Sequence, residues 1–221
     1  MEQLFRDQTF QNKKIQRIAA VNGRDPNISN MLVNYIGSPL QPQISHIEYS
    51  CLLSHLETLR TFSESGHSVA LILEDDMTLE YKKYWVKRME EIIREAPADW
   101  DIIQLCYITE FPLPTNTDYV ANTKVDRPCI YSTGAYLVSN KNLKSIMATL
   151  YKNNKYFLEN NENHVADEYL FAKLKTYTYR LPYFTYKSEN DSTIHAGHID
   201  FHNRSKKMVD DMYRKMYPTI D

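Results

Sequence analysis

Short apolar runs alternate with longer amphipathic segments along this chain, and that alternation limits the folds open to it. Residues 69–73 are consecutive apolar residues between polar neighbours, which predicts a fully buried strand. Before it, apolar side chains recur every third or fourth position over 47–65, as on one helical face, and Gly66 is expected to end that helix. A second helix is predicted over 83–95, stopped by Pro97. Strands separated by helices indicate right-handed crossovers, so the predicted fold class is α/β with a mostly parallel central sheet flanked by helices.

The rest of the chain continues this pattern. A short apolar run at 15–22 ends in an Asn-Gly turn and predicts a strand before the first helix. Residues 111–128 contain three prolines and little periodicity, which predicts a long loop, and loops of this length are usually functional or mobile. The other predicted elements are a buried strand at 101–108, a strand or hairpin at 129–139, one or two tyrosine-rich strands at 176–186, and helices at 142–151, 166–175 and 206–216. We draw no domain boundary within 1–221.

Composition excludes several classes of protein. The five glycines are widely separated, so neither glycine-rich phosphate-binding loop can be written from them. Twenty-six basic against 28 acidic residues give a net charge of -2, which excludes a general nucleic-acid binder. Three cysteines without a CxxC pair argue against a disulfide scaffold and a zinc ribbon, and Cys106 and Cys129 are expected to be small buried hydrophobic residues. No secretory signal or membrane-spanning run is readable, so a cytoplasmic, reducing location is expected.

The strongest chemical signal is an acidic triplet, Glu74, Asp75 and Asp76, directly after the strand at 69–73. Ligands of open α/β sheets bind beyond the carboxyl ends of strands. Three adjacent carboxylates repel one another, and a hard cation such as Mn²⁺ or Mg²⁺ would relieve that repulsion. Strand alternation directs Glu74 and Asp76 to one side and Asp75 to the other. The alternative is that Asp75 and Asp76 only cap the following helix.

Three histidines form a second cluster, at His195, His198 and His202. Their spacing fits one helical face, although Gly197 makes a loop equally compatible with the sequence. Imidazole is a common ligand of transition-metal ions, so the cluster predicts a zinc site of its own, one histidine of a manganese site, or only a polar, solvent-exposed tail.

Asp167 and Glu168 stand in the first turn of a predicted helix. Acidic residues there complement the helix dipole, but a carboxylate at that position could also act as a general base toward a hydroxyl. Ser54 and His55 are neighbours on the first helix. Adjacent residues on a helix cannot face each other as nucleophile and base, so we interpret this pair as packing or polar contacts.

Several motifs resemble glycosyltransferase family 25, which includes lipooligosaccharide transferases and procollagen galactosyltransferases. They follow the family's order and span about residues 15 to 190. The most specific are the Ser-His helix before the strand ending in Glu-Asp-Asp, and the TGAYLVS segment. The motifs are RIAAVNG (17–23), SCLLSHLETLR (50–60), LILEDDM (71–77), WDIIQL (100–105), CIYSTGAYLVS (129–139) and VADEYLF (165–171). The segment DSTIHAGHIDFHNRSK (191–206) resembles viral and other large-genome relatives.

The resemblance implies a GT-A type fold and inverting transfer of a hexose from a nucleotide-sugar, usually a UDP-sugar, to an acceptor hydroxyl on a glycan or on a hydroxylysine-type protein. Asp76, with Glu74, would bind Mn²⁺ or Mg²⁺, and His195 or His198 would complete the site. Glu74 and Asp75, with Asn22 and Gly23 of the first motif, would bind the donor. Asp167, with Glu168 beside it, would be the general base.

The family opens with a strand reading approximately INLxxRxxR, and this chain begins at what would be the following helix, so we expect that first strand to be absent. We expect the loop at 111–128 and the tyrosine-rich strands to contact the acceptor. Two other functions fit the same residues: a non-catalytic nucleotide-sugar or glycan-binding relative, and a metal-dependent phosphohydrolase.

Overall fold

The computed structural model describes residues 2–11, 13–122, 130–187 and 199–218. The chain divides into two compact units, and each is assembled from separate segments. Unit 1 comprises Met1–Lys14, Leu71–Leu137 and Lys175–Asp221, and unit 2 comprises Ile15–Ala70 and Val138–Leu174. No linker in the sequence marks a boundary between the units, because neither unit is one continuous segment of the chain.

Helices and strands follow one another closely in both units. The α-helices are α1 (Glu2–Phe5), α2 (Ile28–Tyr35), α3 (His46–Ser63), α4 (Met89–Glu95), α5 (Asn140–Leu150), α6 (Ala166–Lys173) and α7 (Ile199–Met216), with 3-10 helices at Gln8–Phe10 and Glu80–Tyr84. The strands are β1 (Val69–Leu73), β2 (Met77–Thr78), β3 (Ile102–Gln104), β4 (Ile108–Thr109), β5 (Tyr119–Ala121), β6 (Ile130–Tyr131), β7 (Ala135–Ser139), β8 (Tyr151–Lys152), β9 (Lys155–Tyr156), β10 (Thr176–Tyr179) and β11 (Thr185–Tyr186).

Unit 2 is built around α3, which packs against α2, α5 and α6. The predicted helical face is confirmed, since Leu52, Leu56 and Leu59 are fully buried. Ser45 begins the helix with a capping box: its hydroxyl accepts from Glu48 N–H at 3.2 Å, and Glu48 Oε2 accepts from Ser45 N–H at 2.7 Å. The helix ends at Ser63, and Gly66 follows with a left-handed φ of 75°, as expected for a glycine just beyond a helix end.

Unit 1 is built around a five-stranded sheet with the strand order β1-β7-β3-β10-β5. The first two residues of β1 and the last two of β7 are counted with unit 2. Strands β3 and β10 are parallel, with Thr176 paired to Ile102, whereas β5 is antiparallel to β10. The predicted α/β class is therefore confirmed as a mixed α/β fold. The mostly parallel sheet that we predicted is not confirmed, because β3 and β10 form a parallel pair but β5 runs antiparallel to β10.

Six predicted elements differ from the structure. Strand β1 has the predicted bounds but is half-buried, because as the outermost strand of the sheet order it has a neighbour on one side only. Residues 15–22 belong to no helix or strand, although the predicted turn follows, with Asp25 N–H donating to Asn22 O at 3.1 Å. The helix α7 begins seven residues before the predicted start at 206, and a short edge strand, β5, lies inside the predicted loop.

Tertiary hydrogen bonds explain the other two differences. The helix predicted over 83–95 is interrupted between the 3-10 helix and α4, where the Trp85 indole donates to Tyr183 O at 3.0 Å and the Tyr183 hydroxyl donates to Lys87 O. The strand predicted over 101–108 is divided into β3 and β4. Between them, Leu105 O accepts from Tyr183 N–H at 2.8 Å, so the backbone leaves the strand ladder.

Candidate functional site

The acidic triplet forms a tight turn between β1 and β2, which we call the acidic turn (residues 74–76). Met77 N–H and Glu74 O, 3.5 Å apart, close this turn. Glu74 and Asp76 are half-buried and Asp75 is exposed, which is the division that strand alternation predicts.

Asp76 carries the clearest electrostatic anomaly of the acidic turn. Its Oδ1 is buried and has no hydrogen-bond partner among the described residues. Burial, followed by repulsion from Glu74 and then Asp75, raises the pKa of Asp76 to about 6, although Lys187 lowers it in part. A buried carboxylate oxygen without a donor is costly. Oxygen ligands of this kind fit a hard divalent cation, so the residues present are compatible with Mn²⁺ or Mg²⁺.

The acidic turn is positioned by the segment between β6 and β7, inside the TGAYLVS motif. Thr133 Oγ1 donates to Glu74 Oε1 at 2.8 Å, and Glu74 N–H donates to Gly134 O at 2.8 Å. A Cβ at Gly134 would lie 2.6 Å from Met77 Cε, so a glycine allows this close approach. Thr133 was not among the predicted site residues; its only signal in the sequence is a hydroxyl residue directly before a glycine, between two apolar runs.

Strand β11 flanks the other side of the acidic turn. It pairs antiparallel with β2, and Lys187 N–H donates to Asp76 O at 3.3 Å. Cys106 lies close enough for the charges of Asp76 and Glu74 to act on it, and burial chiefly raises the pKa of its thiol. The prediction of a buried, hydrophobic Cys106 is confirmed at 1% exposure.

The predicted metal-binding histidines, His195 and His198, lie outside the described residues, as does Cys129. His202, the third of the cluster, lies on α7 and is half-buried. Its backbone O accepts from the Tyr186 hydroxyl at 2.6 Å, and its ring is tilted against Tyr186 with the centroids 5.4 Å apart. These contacts connect α7 to β11.

The remaining predicted residues belong to unit 2. Asn22 is exposed, and its Oδ1 accepts from Arg24 N–H at 3.1 Å, which stabilises the turn. Gly23 lies against the start of α3, since a Cβ there would be 2.7 Å from Ile47 Cα. Ser54 Oγ accepts from Val21 N–H at 2.9 Å. Ser54 therefore has the polar contact that we expected, and this contact holds the 15–22 segment on α3.

Asp167 and Glu168 are half-buried in the first turn of α6. Asp167 Oδ1 accepts from Glu168 N–H at 2.8 Å. This places an acidic side chain on a backbone N–H of the first helical turn, where the helix dipole also favours negative charge. The predicted helix start is confirmed, and both carboxylates lie on a rigid element rather than on a loop.

The chain thus combines a mixed α/β fold with a carboxylate-rich turn beyond the end of a strand, the position at which open α/β sheets commonly bind ligands. The model of glycosyltransferase family 25 (LPS biosynthesis protein) matches residues 1–157, about seven-tenths of the chain. The chain belongs to this family, and it is a glycosyltransferase that acts on a sugar donor and an acceptor. The match includes the acidic turn and the TGAYLVS segment, and ends before α6 and α7. No curated protein matches the sequence.

None of the helices in the described ranges is long and apolar enough to cross a membrane.

Proposed function

We propose that this glycosyltransferase transfers a hexose, with inversion, from a nucleotide-sugar to an acceptor hydroxyl, and that transfer depends on Mn²⁺ or Mg²⁺. In this proposal the chain has a GT-A type fold. Its donor is a UDP-sugar, and its acceptor is a glycan or a hydroxylysine-type protein. The observation that carries this proposal is the buried, unpartnered Asp76 Oδ1 in the acidic turn. Because the glycine spacing excludes a phosphate-binding loop, a cation held by carboxylates is the way in which this chain neutralises a diphosphate.

In this proposal Asp76 ligates the ion, supported by Glu74 and by His195 or His198. When bound, the ion stabilises negative charge on the leaving diphosphate as a Lewis acid. Asp75, with Asn22 and Gly23, contacts the donor. Thr133 fixes the orientation of Glu74 through the 2.8 Å hydrogen bond from its hydroxyl.

The reaction is a single displacement. The acceptor oxygen forms a bond to the anomeric carbon of the donor as the bond from that carbon to the diphosphate oxygen breaks, so UDP leaves and the configuration inverts. Asp167 or Glu168 accepts the proton of the acceptor hydroxyl. A positioned base contributes about 10²–10⁴-fold to the rate, so the amide of the acting residue, Asp167→Asn or Glu168→Gln, lowers kcat by that factor.

The test is turnover of a UDP-sugar panel by the purified chain with Mn²⁺ or with a chelator, using mass spectrometry to follow sugar transfer and UDP release. We expect transfer only with the metal, and its loss in Asp76→Asn. Asp211→Asn is the matched control, because Asp211 is a partly exposed carboxylate of unit 1 paired with Lys207 on α7. Asp76→Asn with wild-type turnover in manganese contradicts the metal assignment. Release of phosphate from a phosphate ester without a sugar acceptor favours the phosphohydrolase instead.

The proposal also covers the origin of the protein and its location. Because the segment at 191–206 resembles the C-terminal tails of viral and other large-genome members of the family, we propose that the chain is a relative of that type. Cys51 and Cys106 are free thiols, which is consistent with a reducing, cytoplasmic location.

A further inference from the structure

Unit 1 contains a groove that none of the predicted site residues lines. It lies between the end of β4 and the first half of α7, and its volume is about 220 Å³. We call it the α7 groove; it is lined by Thr109, Glu110, Phe201, Arg204 and Met208. Its volume is below that of sites for drug-sized ligands, so it suits one small ring rather than a nucleotide.

The walls of the groove are held in place by buried contacts. Thr109 N–H donates to Ser205 Oγ at 2.9 Å, and both residues are 1% exposed. This bond fixes α7 against β4. One face of α7 carries Phe201, Arg204 and Met208 at spacings of three and four, so their side chains line the groove together.

The lining combines apolar surface with two opposite charges. Phe201 and Met208 supply the apolar part. The Arg204 guanidinium and the Glu110 carboxylate lie 3.9 Å apart and are 68% and 54% exposed. At this distance they attract each other without forming a hydrogen bond, so the donors of one and the acceptors of the other can bind ligand hydroxyls. Their charges cancel, which favours a neutral ligand over a phosphate or a carboxylate.

The α7 groove is connected to the acidic turn through one short segment of unit 1. Tyr131, at the end of β6, packs edge-to-face on Phe201, with ring centroids 6.2 Å apart. Two residues further along, Thr133 donates to Glu74. The same segment therefore contacts the aromatic side chain of the groove and a carboxylate of the acidic turn.

We propose that the α7 groove binds a neutral hexose unit of the acceptor saccharide. Phe201 packs against the apolar face of the sugar ring, and Arg204 and Glu110 hydrogen-bond its hydroxyls. The inference rests on the proposed function in one respect, that the transferase acts on a saccharide acceptor.

The first test is a comparison of KM values with lactose, maltose and cellobiose as acceptors. We expect Arg204→Ala to raise the acceptor KM about tenfold, through the loss of hydrogen bonds from a charged donor. Phe201→Leu retains apolar volume but removes the ring, and is expected to raise the acceptor KM about threefold. In both variants the increase falls on the acceptor KM rather than on the donor KM. Arg214→Ala is the matched control, since this arginine is 73% exposed on the same helix and does not line the groove.

An unchanged acceptor KM in both variants overturns the proposal, and so does an equal increase in Arg214→Ala. If the wild-type chain transfers no sugar at all, the proposed function has failed, and the groove is judged by binding. Backbone amide NMR with the same three disaccharides, up to about 20 mM, is then expected to shift the resonances of Glu110, Phe201 and Arg204. The absence of such shifts overturns the proposal, whereas shifts that Phe201→Leu weakens support it.

Discussion

The charge environment of Asp76 follows partly from the sequence and partly from the tertiary structure. Three consecutive carboxylates after an apolar run already predict mutual repulsion, and strand alternation predicts that Asp75 differs from its neighbours. The sequence does not show which carboxylate is desolvated, because that depends on residues far along the chain. Burial and the charges of Glu74 and Asp75 raise the pKa of Asp76 to about 6, and β11 brings the Lys187 N–H to Asp76 O from more than a hundred residues away.

This raised pKa predicts how stability depends on pH. The folded chain binds a proton on Asp76 more tightly than the unfolded chain does, so the contribution of this group to stability is lost as the pH rises from about 4 to about 6. In chelator at pH 7, Asp76→Asn is therefore expected to raise the free energy of unfolding by about 1–3 kcal/mol. The gain should shrink toward pH 4, where the carboxyl is already neutral.

Urea denaturation of both proteins at pH 4, 5.5 and 7 measures this difference. Asp211→Asn is again the control, because pairing with Lys207 lowers the pKa of this carboxyl, so the control should not gain stability. An Asp76→Asn chain that is less stable than the wild type at pH 7 in chelator would contradict the assignment of an unfavourable buried charge.

At the scale of elements, periodicity was reliable where one segment packs along a single face. The helix α3 and the strand β1 have nearly the predicted bounds, since their apolar patterns match their own geometry. The 83–95 segment has the same helical period but is interrupted. There the backbone and indole hydrogen-bond to Tyr183, about a hundred residues away, and such a contact leaves no signal in the local pattern.

The helix α7 is fixed to the rest of unit 1 by a polar cluster that the sequence does not reveal. The Tyr81 hydroxyl donates to Asp210 Oδ1 at 2.8 Å, and Lys206 Nζ contacts both Asp210 and Glu80. Tyr81 is 2% exposed and packs on Tyr213 at a centroid distance of 5.0 Å. This cluster joins α7 to the 3-10 helix that follows β2.

Tyr81→Phe is expected to lower the free energy of unfolding by about 1–2 kcal/mol. It retains the ring but removes a hydrogen bond to a charged acceptor, while Lys206 still neutralises Asp210. Urea denaturation measures the change, with Tyr35→Phe as the control because that tyrosine is 39% exposed. Equal stability of the two variants would show that the Tyr81 hydroxyl contributes nothing to holding α7.

At the scale of the whole molecule, the chain passes four times between units that each have a hydrophobic core. Strands β1 and β7 each begin in one unit and end in the other. Loss of the core of one unit therefore removes part of two strands of the other. From this connectivity we expect a single cooperative unfolding transition.

Leu56→Ala tests this cooperativity from unit 2. Leu56 is fully buried on α3, and its truncation is expected to lower the free energy of unfolding by about 2–5 kcal/mol. Far-ultraviolet circular dichroism and the fluorescence of Trp85 and Trp100, both in unit 1, should report the same lowered midpoint. An earlier circular-dichroism transition with unchanged tryptophan fluorescence would show that unit 2 unfolds alone.

Local pattern was sufficient for the α/β class, the main helices, the acidic triplet and the exclusion of glycine-rich phosphate loops, because each depends on residues close together in the chain. Tertiary structure alone decided the mixed strand directions, the burial of Asp76, the role of Thr133 and the α7 groove. Each of these joins residues separated by tens of positions, such as Thr133 with Glu74, or Thr109 with Ser205. Packing brings such residues together, and packing depends on the whole chain rather than on any one segment of it.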